Sequence, residues 1–233
     1  MQRIRNTILW KLDIRVAATA VALVAMLLVG TYVYASSTSN FQQTINAGTL
    51  AIDIVDGTTY ASIASPSVVM GARTFSFACQ TSTGTFGSAS QSIYVSNPDA
   101  ADNGWTASLA GSATTAVWDS VGTDYDFNDP TTSGCADGAD TDTLAGQMTV
   151  NPAAGTLTVG QCNTCVTSNI TLGSSTGYNE GTTNSVTVLT AAALSNDIGD
   201  WKLTGVPISQ TVPEEQPPAS DYDVSMVLSV VAS

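Results

Sequence analysis

The sequence predicts an all-β protein, a β-sandwich or jelly roll preceded by an N-terminal signal or anchor helix. Three observations carry that reading. Short runs alternate apolar and polar residues with period two, turn-forming residues punctuate them, and no segment past the N-terminus holds a helical period beyond a turn at Ala191 to Leu194. At 233 residues the chain suffices for one sizeable sandwich.

The N-terminus comes first in the chain and differs from the rest. Arg3, Arg5, Lys11 and Arg15 precede an apolar stretch over residues 16–35 that ends at Val33-Tyr34-Ala35, with the small final residue of a signal-peptidase site. Residues 1–35 therefore read as an export signal or an uncleaved membrane anchor, since about 20 apolar residues can just span a bilayer. Either reading places the remainder outside the cytoplasm, extracellular or at the cell surface. Residues 36–48 follow as a Ser/Thr/Asn-rich extended arm, and residues 49–233 as a single sandwich domain.

Within that domain the first strand is expected where Leu50, Ile52 and Ile54 alternate with Ala51 and Asp53. The same pattern recurs at Phe75/Phe77/Cys79, Ile93/Val95, Trp105/Ala107/Leu109, Met148/Val150, Leu157/Val159, Val186/Val188 and Trp201/Leu203. It is longest at Tyr222/Val224/Met226/Leu228/Val230. Gly84, Asn97-Pro98-Asp99, Asp102-Asn103-Gly104, Asn151-Pro152, Gly177 and Pro217-Pro218 supply turns between the runs. Trp105, Trp118 and Trp201 are expected in the core; Trp105 and Trp201 are also candidate binding residues.

Beyond Ala35 only Arg73 and Lys202 face eighteen acids. So acidic a surface repels nucleic acid and anionic headgroups, leaving the membrane a partner only through the N-terminal segment. The acids concentrate in residues 119–142, where seven aspartates and Cys135 occur without a basic residue. Alternation of Asp124, Asp126 and Asn128 next to Asp129, with Asp137, Asp140 and Asp142 following, offers oxygen ligands suited to calcium, although the spacing is not that of an EF-hand.

Four cysteines, Cys79, Cys135, Cys162 and Cys165, are expected as disulfides of an exported protein. Pairing of Cys162 with Cys165 and of Cys79 with Cys135 is one expected arrangement, with crossed pairing equally open. The sequence contains no histidine, which excludes histidine-based serine or cysteine proteases and HExxH zinc sites. A carboxylate pair for glycoside hydrolysis stays open, but an aromatic content of 7% suggests no aromatic-rich cleft, and a non-enzymatic role is expected. Asn169-Ile170-Thr171 matches a glycosylation sequon in an expected strand.

Two resemblances add to this reading. Gly30-Thr31-Tyr32, Ser39-Asn40-Phe41 and Asn46-Ala47-Gly48-Thr49-Leu50-Ala51-Ile52 resemble the signal and first strand of the TasA and camelysin family. That resemblance implies a secreted jelly-roll subunit of extracellular fibres whose N-terminal arm completes a neighbour's sheet, hence self-association. The metalloprotease activity attached to the camelysin name has no histidine here to support it. Trp105-Thr106-Ala107-Ser108-Leu109, Trp201-Lys202-Leu203, and the final residues Ile208 to Pro213 and Tyr222 to Leu228 resemble WxL-type bacterial surface domains. This second resemblance implies a monomeric module that adheres to a cell-wall polymer, yet Trp105 is followed by Thr-Ala and the last strand lacks a tryptophan. A calcium-dependent carbohydrate binder or hydrolase is the remaining alternative.

Overall fold

The computed structural model describes residue 10 and residues 13–24, 42–131 and 133–233. The chain divides into two compact units, Met1–Ile45 and Asn46–Ser233. In the first, residues 13–24 are helical with exposed side chains, and among the described residues no helix is long and apolar enough to cross a membrane. The rest of the expected signal, residues 25–35, and residues 36–41 of the expected arm lie outside the described residues. Residues 42–49 have no regular structure and are exposed.

The second unit is all-β and antiparallel. One sheet orders β1 (Ala51–Val55), β3 (Ser92–Asn97), β12 (Gly199–Thr204) and β8 (Thr156–Val159). Another orders β10 (Thr176–Gly177), β7 (Met148–Val150), β13 (Val206–Val212) and β2 (Gln80–Phe86). The third orders β14 (Met226–Ala232), β4 (Trp105–Gly111), β11 (Ser185–Ala191) and β9 (Ile170–Leu172), and β5 (Val117–Trp118) forms a ribbon with β6 (Tyr125–Asp126).

The first two sheets are limbs of one bent surface. Phe86 pairs with Val206 in one and Ile93 with Leu203 in the other, so the same two stretches of chain run side by side through both. The bend sits at Gly87 and Gly205, with φ of 80° and 72°, where the Gly205 N–H donates to the Gly87 carbonyl at 2.7 Å. A β-carbon on Gly87 would lie 2.9 Å from the Leu203 carbonyl oxygen, so both the left-handed backbone and the close approach call for glycine.

Alternation on these strands aims one side chain in two at a common core. Ile93, Val95, Trp201, Leu203 and Val150 of the bent surface meet Trp105, Ala107, Leu109, Val186 and Val188 of the third sheet, all buried. The Trp105 and Trp201 rings touch across the gap at 5.8 Å between centroids.

Several expectations are corrected. Phe75 and Phe77 are 45% and 76% exposed and precede rather than form a strand; they pack edge-on against each other at 5.2 Å. The last strand begins at Met226, because Asp223 exchanges backbone hydrogen bonds with Asp119 before the chain turns to β4. Ala191 closes β11, and the expected turn is confined to residues 193–194, with Leu194 in the left-handed region at φ 60°.

Candidate acidic metal site

The β5–β6 ribbon opens the acidic segment, with the Trp118 and Tyr125 rings stacked at 5.8 Å. Beyond Asp126 the chain makes a long excursion that returns as β7. Two devices hold it. Cys135 is bonded to Cys79, and the Gln147 amide donates to the carbonyls of Asp129, Thr131 and Tyr178 at 3.1, 2.8 and 3.0 Å. Nothing in the sequence pattern marks Gln147; its role depends on three carbonyls brought together by the fold.

Inside this loop one carboxylate oxygen each of Asp129, Asp137 and Asp140 lie within 4.8 Å of one another. Calcium binds oxygen at about 2.3–2.6 Å, so ligands on opposite sides of the ion lie about 5 Å apart and those beside each other lie closer. The three oxygens therefore fit one coordination sphere. Asp129 is fully buried and oriented by the N–H groups of Thr131 (2.8 Å) and Gly138 (3.2 Å). A β-carbon on Gly138 would stand 2.7 Å from the Asp129 carboxylate. One oxygen of Asp140 is buried without a hydrogen-bond partner.

Two further carboxyls crowd the same place. Asp126, 2% exposed, is pushed up to about 7, chiefly by burial, with the charges of Asp142 and Asp140 adding and the Asn128 and Phe127 N–H groups opposing. Asp142 is likewise raised by burial and then by Asp140, Glu180 and Asp137. Glu180 was not visible as a member from sequence. It arrives from the turn after β10, where its N–H donates to the Asn128 carbonyl at 2.6 Å and its carboxylate accepts from the Thr141 hydroxyl at 3.2 Å.

The expected ligand alternation is corrected at Asp124. Asp124 accepts from the Ser120 N–H at 3.0 Å inside the ribbon turn, and the Asn128 amide donates to the Thr114 carbonyl at 2.9 Å. Asp124 does not join the Asp129, Asp137 and Asp140 group. A bend at Phe127 separates β6 from the Asn128–Gln147 bridge and breaks the alternation that would have kept 124, 126 and 128 on one side.

The cysteines form Cys79–Cys135 and Cys162–Cys165. Such bonds belong to oxidising compartments. Asp200 lies beside the second pair, but both sulfurs are in the disulfide, and the carboxylate already accepts from the Tyr94 hydroxyl (2.7 Å) and the N–H groups of Gln161 (2.6 Å) and Cys162 (2.8 Å). In this state the group anchors its loop and offers no thiolate to a metal. Trp105 and Trp201, expected as binding residues, are completely buried between the sheets and present no surface to a ligand.

No family model matches the chain, and no curated protein or solved structure shows significant similarity to it.

Proposed function

We propose that the chain is an exported, non-enzymatic subunit of a bacterial cell surface, a jelly-roll-type sandwich that assembles with further copies of itself through a sheet edge. The edge of β14 is the observation that carries this reading. Its seven residues pair with β4 on one side and with no strand on the other among the described residues, and Val227 and Val231 are 49% and 66% exposed. A long, apolar, unpaired edge is a template for an incoming strand. Residues 36–48 are the segment proposed to supply that strand in a neighbouring copy, in keeping with the resemblance to TasA-type fibre proteins. Calcium, held by Asp129, Asp137 and Asp140 with Asp126 and Asp142 close by, is proposed as the ion that fixes the acidic loop.

Sedimentation and negative-stain microscopy of residues 36–233, with and without cell-wall sacculi, test the assembly. Filaments in the absence of sacculi are expected, and V227K/V231K or deletion of residues 36–46 is expected to abolish them. Pelleting only with sacculi would replace this reading by the monomeric wall-binding module, which the burial of Trp105 and Trp201 disfavours.

A further inference from the structure

A second group of oxygens lies far along the sequence from the acidic loop, where β3 passes into β4 and β11 into β12. The segment after β3 contributes Asp102, and the segment before β12 contributes Asp197. Asp102, half-buried, accepts from the N–H groups of Asn196 and Asp197 at 3.0 and 3.1 Å, and its own carbonyl accepts from the Leu194 N–H at 2.9 Å. Asp197 is fully buried. One of its carboxylate oxygens accepts from the Gly104 N–H (3.1 Å) and the Asn97 amide (3.2 Å), and the other has no partner.

Asn97 deepens the deficit. It is 1% exposed, and its Nδ2 is committed to the Asp197 carbonyl at 2.9 Å and to the Asp197 carboxylate. Turning the amide over would set its oxygen against those two acceptors, so the orientation is forced. Its Oδ1 is nevertheless buried without a partner, as is the Ser195 hydroxyl in the same segment. The Asp197 N–H bond to the Asp102 carboxylate holds the two acidic residues together.

Among the described residues of the second unit no basic side chain offsets this deficit. Lys202 donates to the Gly57 carbonyl at 2.7 Å and lies 5.0 Å from the Tyr60 ring centre, and Arg73 sits in the segment beside Val212 and Gln216. Buried oxygens without donors are costly, and more so when charged. Their natural complement is a hard cation, which accepts oxygen ligands only and needs no donor from the protein.

We propose that Asp102 and Asp197, with the Asn97 amide oxygen, form a calcium-binding site distinct from the acidic loop, tying the β3–β4 connection to the β11–β12 connection. Asp197 and Asn97 supply the buried side of the ion. Asp102 closes it from the solvent side, where water completes the shell. The site is independent of the assembly reading and of the acidic loop.

Equilibrium dialysis with calcium on the full chain, beside D137N/D140N, tests it first. D137N/D140N is expected to keep one bound ion; complete loss of calcium binding in that variant would overturn the proposal. In the D137N/D140N background, D102N is then expected to weaken binding at least tenfold. Terbium luminescence excited through tryptophan should fall with it, because the Trp105 indole N–H lies 3.5 Å from the Asp197 carbonyl. Unchanged affinity in a folded D102N chain, judged by far-UV circular dichroism, would mean that the two carboxyls share only a proton or a water.

Discussion

Asp126 shows how one residue sets the behaviour of its loop. Its carboxyl is buried, faces other acids and has no cation beside it among the described residues, so the folded chain holds its proton more tightly than the unfolded chain does. A raised carboxyl contributes stability that is full below the unfolded pKa of about 4 and is lost as pH rises through about 7. D126N keeps an oxygen for the Phe127 N–H and removes the charge. In chelator it is expected to match the parent below about pH 4 and to exceed it increasingly as pH rises, by about 1–2 kcal/mol at pH 8 in urea denaturation; equal stability at pH 8 would show that the carboxylate is not held at a cost. This residue was legible as a ligand candidate because acid density is a property of sequence. Its partners were less so: Asp124 and Asn128 share its alternation but turn to Ser120 and Thr114, while Glu180 and Gln147 arrive from other parts of the chain.

Elements were legible where burial alone fixes their pattern. β3, β4, β7, β8, β11 and β12 carry apolar residues at every second position because those side chains meet the core. β2 and β13 were missed for a physical reason: Ser82 and Gln210 occupy inward positions, spending their polar atoms on the carbonyls of Gly71 and Asp126 at 2.6 and 2.9 Å. Phe75 and Phe77 imitate a strand but pack on each other beside the Cys79–Cys135 bond. That bond ties elements 56 residues apart, whereas Cys162–Cys165 spans a separation of 3. On loop-closure entropy, removing the first by C79S/C135S should cost about 4 kcal/mol and removing the second by C162S/C165S about 2 kcal/mol or less. Thermal unfolding of the two variants ranks them. The first should also weaken calcium binding at the acidic loop, because Cys135 tethers the segment that carries Asp137 and Asp140, while the second should leave it unchanged.

At the scale of the molecule, a net charge of −13 with two basic residues past the N-terminal segment makes the folded state a concentration of like charge. Asp126, Asp142 and Asp197 all have raised pKa values, and in each case burial is the largest cause. Between about pH 4 and pH 7 the folded chain therefore binds more protons than the unfolded one, and the metal-free protein should lose stability as pH rises through that window. Calcium reverses the sign, since it binds the ionised carboxylates and competes with their protons. The difference in Tm between millimolar calcium and chelator should accordingly be small at pH 5 and grow toward pH 8, where each 1 kcal/mol of linkage corresponds to about 2–4 °C for a domain of this size. Magnesium demands tighter octahedral geometry and sheds its water reluctantly, so it should raise Tm less at the same concentration. A calcium effect of equal size at pH 5 and pH 8 would exclude these buried carboxyls as its source and leave general charge screening, which magnesium would reproduce in full.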